Sequence, residues 1–233
     1  MRFCFISLLI CLPGLVWADY TKVPAETGAL SAAIIAAEAG DVLRLGSGRH
    51  EGDLSIFQPL TLECETGAEI IGSATGTVLT VDAPDVAISN CSVSGSGSSG
   101  PDIDSGIKLT AKAVNARIEG NILTGNLYGI DVHGAQNAHV LNNTIIGRTD
   151  PHMNNRGNGI HVWNAAGAEV SGNSVSLGRD GIFVTSSSDN VFADNHFRNL
   201  RFAVHYMYAH DSVVSGHVSV GPHLGYAVLF SDR

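Results

Sequence analysis

The sequence predicts an all-β protein, a right-handed parallel β-helix whose solenoid coils are about 22 residues long, with one short N-terminal capping helix. Three observations carry this expectation. One phrase recurs, as Gly159-Ile160-His161-Val162, Gly181-Ile182-Phe183-Val184 and Ala203-Val204-His205-Tyr206, with starts 22 residues apart. It appears upstream at Gly106-Ile107-Lys108-Leu109 and Gly129-Ile130-Asp131-Val132, and weakened downstream at Ala227-Val228-Leu229-Phe230. A fixed period of this size marks a repeat architecture. Second, each period holds another short strand phrase that ends in Asn: Glu119-Gly120-Asn121, Leu141-Asn142-Asn143, Ser171-Gly172-Asn173 and Ala193-Asp194-Asn195, with Ser215-Gly216-His217 last. Third, the apolar alternation within each phrase has period two, and Gly and Asn supply the left-handed backbone of tight corners. Neither strand buries its apolar face alone. Stacked coils bury the column Ile107, Ile130, Ile160, Ile182, Val204, and Asn121, Asn143, Asn173 and Asn195 stack as an amide ladder at one corner. Two strands per coil and about six coils are expected.

The elements follow in chain order. Residues 1–18 read as a secretory signal peptide: Arg2, an apolar run from Phe3 to Leu12, and a cleavage site at Val16-Trp17-Ala18. The apolar run is too short to span a membrane, and Ile10 before Cys11 argues against a lipoprotein anchor. Residues 19–233 form the β-helix domain. Thr27–Ala39 reads as a helix capped by Thr27 or Ser31, with Leu30, Ile34 and Ile35 as an apolar stripe and Gly40 as its stop. Such a helix covers the open end of a solenoid. Strands at Asp41–Leu45, Leu60–Leu62 and Thr77–Val81 begin the coils. Cys64 and Cys91 each end a strand phrase. Either they form a disulfide across neighbouring coils, as an exported chain permits, or they are two small corner residues, since their registers differ by about one residue. Gly95–Gly100, Gly-Ser-Gly-Ser-Ser-Gly, has the composition of a flexible tether. The coil from Gly129 to Gly159 is longer than its successors, and the excess at Arg148–Arg156 becomes a surface loop bearing His152 and Met153. The sequence stops at Arg233 just after an apolar strand begins, with no polar capping repeat, so the chain reads as an N-terminal portion of a longer β-helix.

Composition narrows the function. The formal charge is −9 with only 13 Lys plus Arg and no basic cluster, which excludes the cationic footprint of nucleic-acid binding. Alternation places His133, His161, His205 and Met207 on one outer face, with His210 just beyond the strand and His223 before the next. Imidazole and thioether suit copper, Cu(I) in particular, better than magnesium or calcium. His205, Met207, His210, His152, Met153 and His161 are therefore the candidate metal ligands. His161 and His205 are two coils apart, roughly 9.5 Å, too far to share one ion unaided. Two other readings stay open. One is a glycan-active β-helix enzyme, although Asp131, Asp180 and Asp194 are not paired on successive coils as carboxylate catalysis requires, and Arg179, Asp180 and Arg201 suit corner salt bridges. The other is a structural or adhesive solenoid without a ligand.

The phrases Arg156-Gly157-Asn158-Gly159-Ile160-His161-Val162-Trp163-Asn164, Gly178-Arg179-Asp180-Gly181-Ile182-Phe183-Val184 and Leu200-Arg201-Phe202-Ala203-Val204-His205-Tyr206-Met207-Tyr208, with His223-Leu224-Gly225-Tyr226-Ala227, resemble the NosD family. That resemblance implies a periplasmic, non-catalytic β-helix that handles copper during maturation of the copper centre of nitrous oxide reductase. It also implies docking on the ATPase and membrane subunits of an ABC transporter, and receipt of copper from a small copper-chaperone lipoprotein. Members of the family continue through further coils.

Overall fold

The computed structural model describes residues 20–221 and 224–232; residues 1–18, expected to be a signal peptide, and His223 lie outside them. The chain winds as a right-handed parallel solenoid of about nine turns, with three parallel sheets of nine, eight and eight strands forming its walls. A typical turn places Glu169–Ser171 in the first sheet, Ser174–Ser176 in the second and Asp180–Thr185 in the third. Each strand pairs in register with its counterpart one turn away, as Ile160 does with Ile182 and Ile182 with Val204.

Two expectations about the repeat are corrected. There are three strands per turn, because the second-sheet strands are only three residues long with one inward apolar residue, such as Val175 or Phe197, between polar neighbours. So short a strand leaves almost no alternation to read. There are also about nine turns instead of six, because Tyr20–Val23, Asp41–Leu45 and Leu60–Cys64 begin turns of irregular length that lack the Gly-Ile phrase.

The interior is a set of columns. Ile107, Ile130, Ile160 and Ile182 are buried on the third sheet, Ile118, Val140, Val170 and Phe192 on the first, and Leu123, Ile145, Val175 and Phe197 on the second. Each such side chain contributes about 1.5–3 kcal/mol through burial. Glycine recurs before the third-sheet isoleucines because the turns approach too closely for a side chain there. A Cβ on Gly129 would lie 2.4 Å from the Gly159 carbonyl oxygen, and one on Gly181 would lie 2.4 Å from the Phe197 ring.

The corner between the first and second sheets is polar and hydrogen-bonded from rung to rung. Asn121, Asn143 and Asn173 each donate a side-chain N–H to the Oδ1 of the next asparagine at 2.9–3.0 Å. The same Oδ1 accepts the backbone N–H of the preceding asparagine. His217 Nδ1 accepts the last of these bonds, from Asn195 N, at 3.0 Å. Gly120, Asn142, Gly172, Asp194 and Gly216, the residues just before each rung, all have positive φ, as expected for this corner. Cys91 occupies the rung before Asn121 and is bonded to Cys64 in a disulfide. The one-residue register difference is absorbed by Asn90, whose φ of 60° turns the chain back towards Cys64.

At the N-terminal end the helix is shorter than expected, Ala29–Ala36, and neither Thr27 nor Ser31 caps it. Glu51 accepts the N–H of Gly28 instead, and Gln58 of a later turn donates to the carbonyls of Ile34 and Ala37. Those partners satisfy the helix ends where local caps do not. Leu30 and Ile34 are buried against the first turns, while Ile35 faces solvent. Residues 95–104 are no tether. Their turn is held by Asp104 accepting from Ser99 N, by Ser99 donating to Asp102, and by Asn126 accepting from Ser96 N. At the other end, Val213, Val218, Val228 and Phe230 of the last described turn are exposed.

Candidate functional site: the outer face of the third sheet

The third sheet carries the polar residues that no packing requirement explains. Its register aligns Lys108, Asp131, His161, Phe183, His205 and Ala227 in one outward row. A parallel row runs His133, Trp163, Thr185, Met207 and Leu229. The rings of the first row lie against one another: Tyr128 is 5.9 Å from His161, which stacks on Phe183 at 5.5 Å, and Phe183 is 4.8 Å from His205. Phe202 closes on His205 at 5.1 Å, and Trp163 covers His133 at 4.3 Å.

Two fully buried carboxylates hold the imidazoles. Asp131 Oδ1 bonds His161 Nδ1 at 2.8 Å, while its Oδ2 faces Lys108 Nζ and His133 Nδ1, each at 3.5 Å. Asp180 accepts two hydrogen bonds from Arg201, at 2.8 and 2.6 Å, and contacts His205 Nδ1 at 3.2 Å. A carboxylate on Nδ1 fixes the ring and leaves Nε2 as the outward nitrogen, the arrangement commonly found around metal-ligating histidines. Neither His161 Nε2 nor His205 Nε2 has a hydrogen-bond partner among the described residues. Burial holds His133 below its ordinary value, opposed by Asp131. Burial raises the Tyr128 hydroxyl, opposed by Arg179.

The six candidate ligands fall in three places. His205 and Met207 share the strand Phe202–Met207 and point the same way. His161 lies on the same row as His205 with Phe183 between them, and it is covered by its neighbours, only 6% exposed. His210 lies past the strand end, where it pairs with Asp232 and lines a cleft with Tyr208, Ser188 and Asn164. His152 and Met153 enter a 3-10 turn, Met153–Asn155, on the inserted loop at the opposite, starting end of the third-sheet strands. Among the described residues no three His, Cys, Asp or Glu side chains converge as a metal cluster. His205 and Met207 are the one candidate pair that shares a strand and a facing direction. Sequence reasoning placed Asp131 on the outer face but missed the roles of Asp131 and Asp180. The signal was available for Asp131, which aligns with His161 one turn on, but not for Asp180, which aligns with Phe202.

The fold and this face define the class: a right-handed parallel β-helix bearing a carboxylate-anchored histidine row on one outer sheet. By fold the chain is similar to a Family 28 exopolygalacturonase of Yersinia enterocolitica (TM-score 0.72, 12% identity, 90% of this chain and 55% of that one). It is likewise similar to pectate lyase Pel9A (TM-score 0.62, 11% identity, 92% and 79%). Residues 142–233 match the family model described as "Periplasmic copper-binding protein (NosD)". The chain is 36% identical over 138 residues to a "Probable ABC transporter binding protein NosD" of Stutzerimonas stutzeri, and 37% identical over 137 residues to the protein of that name in Pseudomonas aeruginosa. Each match takes in 59% of this chain and 32% of the relative, so the matched region spans about a third of those relatives' length. In these stretches the chain is similar to the NosD family. No helix among the described residues is long and apolar enough to cross a membrane.

Proposed function

We propose that this chain is a non-catalytic, periplasmic copper-handling protein that carries copper as cargo towards the copper centre of nitrous oxide reductase. In this reading it works beside the subunits of an ABC transporter and takes copper from a copper-chaperone lipoprotein. The observation that carries the proposal is a coincidence of position. The stretch that matches the copper-binding family model, residues 142–233, contains all six candidate ligands. Within it, His205 has its Nδ1 anchored by a buried carboxylate and its Nε2 free.

His205 and Met207 form the principal pair. An imidazole nitrogen and a thioether sulfur on one strand suit Cu(I) and disfavour hard divalent cations. His210 supplies a neighbouring donor around the strand end. His161, anchored in the same manner by Asp131, acts as a separate imidazole two turns away, and His152 with Met153 forms a further donor pair on the inserted loop. Few ligands and one edge open to solvent suit capture followed by release. The test is Cu(I) competition against a chromophoric chelator. The parent chain takes up copper, and His205→Ala and Met207→Leu each weaken it. Asp180→Asn weakens it by about 10–100-fold through loss of ring orientation. A parent that takes no copper refutes the reading, as do two ligand variants that bind as well as the parent.

A further inference from the structure

Two insertions interrupt the solenoid at the same corner, between the second and third sheets: residues 95–104, and residues 147–157 two turns later. They meet across the intervening turn. Arg148 reaches back to donate to the carbonyls of Ser96 and Gly97, at 2.9 and 2.7 Å, and to the Ser98 hydroxyl at 2.7 Å. Gly157 allows the second loop to lie flat on the wall, since a Cβ there would be 2.0 Å from the Leu127 carbonyl oxygen. The two loops and the wall enclose a cleft of about 400 Å³ lined by Ser98, Tyr128, Arg148, Asn154, Asn155 and Arg179, among others. That volume is within the range of small-molecule sites.

The floor of the cleft holds an unspent cation. The Arg179 guanidinium donates no hydrogen bond to any described residue, and its Nε is buried without a partner. Its nearest carboxylate oxygen, Asp180 Oδ2, is 3.6 Å away and already takes 2.6 Å and 3.2 Å contacts from Arg201 and His205. Arg148 adds a second positive charge, bonded only to carbonyls and hydroxyls. Asp150 is the sole carboxylate on the lining, and its Oδ1 is engaged by the His152 N–H and the Asn155 amide. A guanidinium fork with free N–H groups, in a chain of net charge −9, matches the planar oxygens of a carboxylate or phosphate.

We propose that this cleft binds a small oxyanion-bearing molecule, its carboxylate or phosphate group on the Arg179 fork and its polar remainder on Tyr128, Asn154 and Asn155. The cleft does not include His205 or Met207, although Arg179 and His205 face the same Asp180 oxygen. The test is isothermal titration of the full chain at low ionic strength with two probes, inorganic phosphate and D-glucuronate, which distinguish a bare oxyanion from a hydroxylated carboxylate. Saturable binding of either probe at one per chain is expected. Arg179→Gln should weaken it by about tenfold or more, the cost of a charge-assisted bond, while Arg179→Lys restores only part. If circular dichroism shows that Arg179→Gln does not fold, Asn154→Ala on the exposed loop decides the matter, with weaker binding of the same probe expected. Binding of neither probe to the folded parent overturns the proposal. So does undiminished binding to a folded Arg179→Gln, or to Asn154→Ala where that variant must decide.

Discussion

Asn173→Ala removes one rung from the middle of the amide ladder. The Asn173 side chain is fully buried. Its Oδ1 accepts two bonds, from the backbone N–H and the side-chain amide of Asn143, and its Nδ2 donates to Val140 O and Asn195 Oδ1. Alanine leaves two Asn143 hydrogens without acceptors and takes a donor from Val140 O, while Asn195 Oδ1 keeps the residue-173 backbone N–H. Each buried polar group left unsatisfied costs about 1–3 kcal/mol, the N–H donors most reliably. The donors alone give about 3–5 kcal/mol after some relaxation, a large share of the roughly 5–15 kcal/mol typical of a folded domain. With a urea dependence near 3 kcal/mol per molar, the unfolding midpoint falls by about 1–1.7 M. The assay is urea denaturation followed by circular dichroism. Ser174→Ala, at an exposed position one residue on, serves as the control and should move stability by no more than about 0.5 kcal/mol. A midpoint for Asn173→Ala that stays with the control would refute the claim that the ladder holds the turns together.

Two further outcomes are expected. Replacing both Cys64 and Cys91 by serine opens a covalent link between residues 27 apart in sequence and lowers stability by about 3–4 kcal/mol on chain-entropy grounds; matched melting curves for the parent and the double variant would contradict this. His217 accepts the Asn195 N–H on Nδ1, and burial lowers its pKa, opposed by Asp194. Its neutral form is the folded form, so the stability it supports is full above its ordinary value, near 6.5, and is lost as pH falls through that value towards the lower folded one. His217→Asn continues the ladder with a non-titrating amide and should flatten the decline in melting temperature between about pH 7 and pH 5. An unchanged decline would assign the acid sensitivity elsewhere.

How much of this was legible before the structure depends on the length of the signal. The 22-residue recurrence of Gly-Ile-x-Val exposed the third sheet, its inward isoleucines and its outward His161 and His205, because alternation over four residues is readable. The ladder asparagines were legible for the same reason. The second-sheet strands were not, since a three-residue strand such as Ser174–Ser176 has a single apolar residue. The early turns were missed because their lengths vary and no phrase repeats. The helix ends were misplaced because their partners, Glu51 and Gln58, come from other turns and no local cap exists. Around the site, facing direction could be read, but contact could not. That Asp180 serves His205, 25 residues on, depends on a diagonal reach between paired strands, and that Arg148 grips Ser96, 52 residues back, depends on where two irregular loops fold.

The two ends of the solenoid are built differently. At the start, Leu30 and Ile34 seal the core, and Cys64–Cys91 stitches two adjacent turns. At the far side, the last described turn offers Val213, Val218 and Val228 to solvent, with pairing partners on one side alone. Turns in such a stack support only their neighbours, so the order of each depends on the turn beside it. The strand bearing His205 and Met207 lies one turn below that surface. Whatever lies against the last turn therefore sets how firmly those side chains are held, and hydrogen exchange along Phe202–Met207 would register its arrival and departure.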